Sequence, residues 1–129
     1  MHTATHDLPI KLNAAGATVR HLPDFGVANG SLAAEHLSLA EGVDIAPLLA
    51  GLDGDACQSP HWGFVISGRL VVTYADGSSE ACSTGELFHW PAGHSVRVEQ
   101  ETELVMFSPA AEHLEVMDHM LGVLAALPA

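Results

Sequence analysis

Basic residues are scarce in this chain: four Lys or Arg stand against 16 Asp or Glu, a formal net charge of -12. With so few cations no basic patch can form, which excludes nucleic acid and anionic membrane as partners, since both are held by displacing counterions. The acidic coat is most simply a means to solubility. Cysteine is scarce too. Cys57 and Cys82 are too few for a disulfide scaffold. No apolar run reaches the length of a membrane span. The opening Met1-His2-Thr3-Ala4-Thr5-His6-Asp7 lacks the positive region and apolar stretch of a signal peptide. These absences lead to the expectation of a cytoplasmic protein. What is present is apolar: 48% of 129 residues, with only 16% charged, enough for one domain with a core of its own.

Residues 1–16 are polar, His-containing and aperiodic, and are expected to form a flexible N-terminal arm. Ala17 to Leu22 and Leu32 to Leu39 read as strands, although Ala33-Ala34-Glu35-His36 would also tolerate a helix. Gly42 to Leu52 is ambiguous, with Pro47 breaking any helix begun before it. From His61 onward the punctuation is regular. Trp62 to Ile66 ends at Ser67-Gly68, and Arg69 to Tyr74 ends at the hairpin signal Asp76-Gly77. Ser79 to Cys82, Glu86 to Trp90, Ser95 to Glu99 and Glu103 to Phe107 follow, separated by Thr84-Gly85, Pro91-Ala92-Gly93 and a polar stretch. Short strands with turns about every 8–12 residues indicate an all-β sandwich or barrel, assigned to 17–107. Residues 108–129 are expected to form a C-terminal α-helix. Ser108 would be its N-cap and Pro109 its first residue, with an apolar stripe of Leu114, Met117, Leu121 and Leu124.

Residues 50–107 resemble the cupin superfamily, whose two motifs run G-x5-H-x-H-x3-E-x6-G and G-x5-P-x-G-x2-H. Gly85, Pro91 and Gly93 match the second motif, and Val96 stands where it has its His. Counting back from Gly68, His61 falls on the Glu position of the first motif, Cys57 on its second His and Asp55 on its first. Pro60-His61-Trp62-Gly63 and Trp90-Pro91-Ala92-Gly93-His94 are further similar to a group of small bacterial cupins of uncharacterised function. The resemblance implies a cupin jelly-roll β-barrel holding a divalent metal ion, and pairing into a homodimer. Trp62, Phe64 and the C-terminal helix are the expected dimer contacts.

The ligand set departs from the family's three His and one Glu. Cys57, His61 and, by a shift of two residues, His94 are the candidate metal ligands. A thiolate with two imidazoles suits Zn foremost, with Fe, Cu or Ni also compatible, and three protein ligands leave a position open for water or substrate. Gly63, Val65, His89 and Val96 are the candidate pocket residues, Gly63 by leaving room beside His61 and Val96 by making the floor apolar. Blander readings stand beside these. A buried Cys is usually a small hydrophobe, a strand His a hydrogen-bonded core residue, and a turn His solvent-facing. The face of His89 depends on a register the sequence leaves open. Asp55 reads as the end of a turn, Cys82 as a core residue, and Glu99, Glu101 and Glu103 as a solvated edge. His2, His6, His21, His36, His113 and His119 have no ligand spacing and read as surface or incidental.

Two classes of function follow. The first is a metal-binding small cupin acting on or sensing a small organic molecule. The second is a metal-free cupin that binds a small hydrophobic ligand or a protein partner, favoured by Val96 at a motif His position. A haem or soft-metal carrier using Cys and His is a third.

Overall fold

Two long strands organise the molecule. The computed structural model describes residues 1–127, and within them the strands are β1 (Ile10–Ala14), β2 (Ala17–Leu22), β3 (Leu32–Leu39), β4 (His61–Tyr74), β5 (Ser79–Ser83), β6 (Leu87–Trp90) and β7 (His94–Pro109). One helix follows, α1 (Ala110–Ala126). Every pairing is antiparallel, in the order β1-β2-β3-β7-β4-β5, with β6 also on β4. The first part of β4 pairs with β6 (His61 opposite Trp90), and its later part pairs with β5 (Arg69 opposite Ser83). β7 runs beside both parts, and its C-terminal half also carries β3.

Trp62–Ile66 and Arg69–Tyr74, expected as separate strands, are one strand with a bend, and the same is true of 95–99 and 103–107. The β4–β7 register shifts between Val65 and Ser67, again before Arg69, and again before Leu70. Such irregularities bend a strand without ending it. Gly68 sits in that bend at φ +106°, where a Cβ would lie 2.2 Å from the Glu101 carbonyl oxygen. Only glycine meets both demands. The bend lets one strand serve two flanks of the barrel, so the turn signal at Ser67-Gly68 is a corner.

Alternation decides what is buried. On β7, Val96, Val98, Thr102, Leu104, Met106 and Ser108 face inward. On β4, His61, Val65, Leu70 and Val72 do so, while Trp62, Phe64 and Ile66 stay exposed. Phe88 and Trp90 stack at 4.0 Å in the same core. Each large side chain so buried contributes about 1.5–3 kcal/mol before conformational entropy is set against it.

The N-terminal arm is not loose: β1 is the edge of the sheet, with Leu12 opposite Val19 and both buried. Leu8 is buried as well, and the chain is tied by His21 N–H donating to the Pro9 carbonyl and Arg20 Nη1 donating to the Leu8 carbonyl. Apolar burial at Leu8 and Leu12 overrides the polar look of the segment. The helix also departs from expectation. Ser108 remains in β7, Pro109 stands at the N-cap position, and the buried line is His113, Val116, Met117 and Met120. Leu114 lies on the exposed side, while Leu121 and Leu124 are partly buried. The last two residues of the expected helix, 128 and 129, lie outside the described residues. The stripe packs on Leu12, Val19, Leu49 and Cys57 as a second core. Among the described residues no helix is long and apolar enough to cross a membrane.

Candidate metal centre

Cys57 enters the barrel from a short 3-10 turn, Asp53–Asp55. Asp55 belongs to that turn: it is exposed, at φ 51°, and its Oδ1 accepts the Gly51 N–H at 2.9 Å. An isolated two-residue bridge then fixes Cys57 against His94, with Cys57 N–H donating to the His94 carbonyl at 2.8 Å and Gly93 N–H to the Cys57 carbonyl at 2.7 Å. His61 opens β4 one turn of chain later, and its Nε2 lies 3.5 Å from Cys57 Sγ. The His61 and His94 rings stand edge to face at 4.9 Å. All three residues are buried, and one ligand atom from each lies within 4.8 Å of the others.

The two imidazoles are oriented from behind. His94 Nδ1 is 2.7 Å from the Pro91 carbonyl oxygen, which can only accept, so Nδ1 carries the proton and Nε2 the lone pair. His61 Nδ1 lies 2.5 Å from Ser108 Oγ, which leaves its Nε2 facing the thiol. An outer hydrogen bond on one nitrogen with the other turned inward is how metal-bound histidines are held. Burial, reinforced by His113, His94 and His89, keeps His61 well below the ordinary imidazole range, and burial lowers His94 as well. Burial pushes the Cys57 thiol up to about 11. The resting donor set is therefore neutral, and an arriving cation would convert the thiol to thiolate.

A second buried cluster lies alongside. His21 on β2 and Glu35 on β3 are cross-strand partners, and His113 reaches them from the first turns of α1. One ligand atom from each again lies within 4.8 Å of the others. His113 Nε2 touches Glu35 Oε1, yet neither atom has hydrogen-bond geometry to any partner among the described residues. The same holds for Glu35 Oε2, His113 Nδ1 and His21 Nε2. Each such orphaned atom costs about 1–3 kcal/mol of desolvation. The clusters meet where the His61 and His113 rings stand 4.9 Å apart.

Cys57, His61, His94, Glu35 and His113 line one cavity of about 300 Å³, whose remaining wall is mostly aliphatic and includes Val96, Leu104 and Met106. Of the expected pocket residues, Val96 faces it. Three others do not. The space beside Gly63 is filled by Phe88, whose Cζ would lie 2.4 Å from an added Cβ. Val65 is fully buried among core side chains away from the cavity. His89 is exposed, stacks on Trp62 at 4.7 Å, and donates from Nδ1 to the His61 carbonyl.

No family model matches the chain, and no curated protein matches it. Solved structures do. A formate complex of oxalate decarboxylase from Lactobacillus farciminis superposes with a TM-score of 0.59 at 20% identity, over 84% of this chain and 32% of that one. An RmlC-like cupin from Shewanella frigidimarina gives 0.59 at 19% identity, over 87% and 93%. The fold is that of a cupin. A putative ethanolamine utilization protein Q from Salmonella typhimurium gives 0.51 at 16% identity, over 73% and 70%. The chain spans about a third of the oxalate decarboxylase, and at these identities the likeness is one of fold.

Within this cupin-like fold the structure brings Cys57, His61 and His94 together as their spacing anticipates. It corrects the reading of His21 and His113 as surface or incidental, since both are buried. Their signal in the sequence was faint. His21 shares an inward face with Val19, and Glu35 interrupts the otherwise apolar inward run Ala33, Leu37 and Leu39 of β3.

Proposed function

We propose that this cupin binds a divalent metal ion, zinc foremost, through Cys57, His61 and His94, and takes a small organic molecule into the cavity beside it. One observation carries the reading: two imidazoles, each anchored at Nδ1, and a thiol converge from a loop, β4 and the start of β7. Bound there, the ion would supply Lewis acidity toward a substrate oxygen or a bound water. The chain does the rest. Ser108 orients the His61 ring, the Pro91 carbonyl holds the tautomer of His94, Val96, Leu104 and Met106 seat an apolar body, and burial excludes bulk water. A cavity of about 300 Å³ is at the small end for organic ligands.

Ligand positions too far apart to share an ion would favour the metal-free alternative, and the Cys57–His61 separation of 3.5 Å does not supply that support. A haem would have to part side chains already within 4.8 Å of one another. The same reading has the chain pairing with a second copy through the outer face of the sheet, where Trp62, Phe64, Ile66, Leu87 and Phe107 are exposed. Light scattering is expected to show a dimer, and a monomer at working concentration would remove that part. For the metal, elemental analysis of tag-free, zinc-loaded protein is the test. Cys57→Ser and His94→Gln should each lose about one equivalent of zinc. Zinc content unchanged in both variants would overturn the assignment.

A further inference from the structure

We infer that His21, Glu35 and His113 form a second site for a borderline first-row divalent cation, opening on the same cavity. It goes beyond the function proposed above, which uses none of the three. The donor set is two imidazoles and a carboxylate, the combination that takes zinc or iron(II) and leaves positions open. What points to a ligand is the state of those donors. Glu35 and His113 side chains are 1% and 4% exposed; His113 Nε2 and Glu35 Oε1 meet only each other, and His21 Nε2, His113 Nδ1 and Glu35 Oε2 have no hydrogen-bond partner among the described residues. A buried Glu35–His113 ion pair would account for one contact only. It would leave His21 Nε2, His113 Nδ1 and a carboxylate oxygen orphaned in a region whose other buried polar groups are mostly satisfied. A cation accepts electron pairs from all three residues at once.

The scaffold is rigid where it needs to be. His21 and Glu35 are held opposite each other by the β2–β3 ladder, and His113 is set by Val116, Met117 and Met120 packing one and two turns along α1. Ligand atoms already within 4.8 Å of one another need only small side-chain shifts, with Glu35 and His113 parting slightly, to surround an ion at about 2.0–2.2 Å from each. Glu35 and His113 line the cavity, so positions left open by three protein ligands face the space reached from Cys57, His61 and His94. A molecule in that cavity would meet two cations, and a ligand with two oxygen donors, such as a carboxylate, is the chemistry that would bridge them.

Cobalt(II) titrated into metal-free protein separates the two sites. Bound cobalt is counted after desalting, while the thiolate-to-cobalt charge-transfer band reports Cys57 alone. The wild type is expected to hold about two equivalents. Glu35→Gln, which keeps the shape and removes the charge, should hold about one and keep the band; Cys57→Ser should hold about one and lose it. A single equivalent carrying the band in the wild type would overturn the second site and leave the first standing. Two equivalents retained in Glu35→Gln would also overturn it. A single equivalent without the band, lost in Glu35→Gln, would keep the second site and sink the Cys57 reading instead. Should Glu35→Gln fail to fold, the wild-type count decides.

Discussion

The two triads meet at the His61–His113 contact, and they are finished to different degrees. Cys57, His61 and His94 have outer partners for every group not turned inward: Ser108, the Pro91 carbonyl, and a backbone bridge between Cys57 and His94. His21, Glu35 and His113 have nearly none. The first arrangement is stable as a neutral hydrogen-bonded cluster even without an ion. The second holds a carboxylate and two imidazoles out of water with little compensation, and an ion there would relieve more. Were both triads to hold ions, preorganisation would belong to the first and relief of unpaired buried groups to the second.

The largest expected effect sharpens that division. Saturating metal-free protein with zinc at about 1,000 times each site's dissociation constant should stabilise it by about 4 kcal/mol for each site filled, read as a rise in melting temperature reversed by chelator. Glu35→Gln, which keeps the Cys57 site, should lose about half of the rise, and it is also expected to be more stable than wild type when metal-free. Equal zinc responses in Glu35→Gln and wild type would erase the contrast. Next in size, Ser108→Ala removes the hydrogen-bond partner behind His61 and should weaken zinc at the Cys57 site by about 10–100-fold. Isothermal titration should show the other equivalent unchanged; both weakening together would mean the triads act as one site.

Acid should destabilise the metal-free protein over a defined window. Burial holds His61, His94 and His21 below the 6.5 of an unfolded imidazole. Between those values the unfolded chain binds more protons than the folded one. The stability they contribute is therefore complete above pH 6.5 and is lost as pH falls toward the folded values. Urea midpoints from about pH 7 to about pH 5.5, above the range where carboxylates titrate, should decline. A flat profile would mean the imidazoles are not buried as described. The smallest effect belongs to His89→Ala, on the exposed face, which should change zinc affinity negligibly and stability by about 0.5 kcal/mol or less.

The sequence made the barrel legible because turns such as Asp76-Gly77 and alternation such as Val96-Arg97-Val98 are local signals. Cys57, His61 and His94 were legible for a similar reason: they flank two short motifs whose spacing carries the register. The bend at Gly68 was misread as a break, since a turn glycine and a corner glycine look alike until Glu101 and Thr102 are placed against it. Gly63 promised an opening that Phe88 fills from the neighbouring strand. His21, Glu35 and His113 come from two strands and a helix far apart in the chain, and the helix packs on a face rotated from its Leu114–Leu121 spacing. Only the assembled fold brings them within reach of one another.

Cys57, His61 and His94 are proposed to hold an ion together. X-ray absorption at the zinc edge of fully loaded, tag-free protein tests it most directly. A sulfur shell at about 2.3 Å beside nitrogen at about 2.0–2.1 Å is expected, with the sulfur absent in Cys57→Ser. A shell of nitrogen and oxygen alone in the wild type would contradict it.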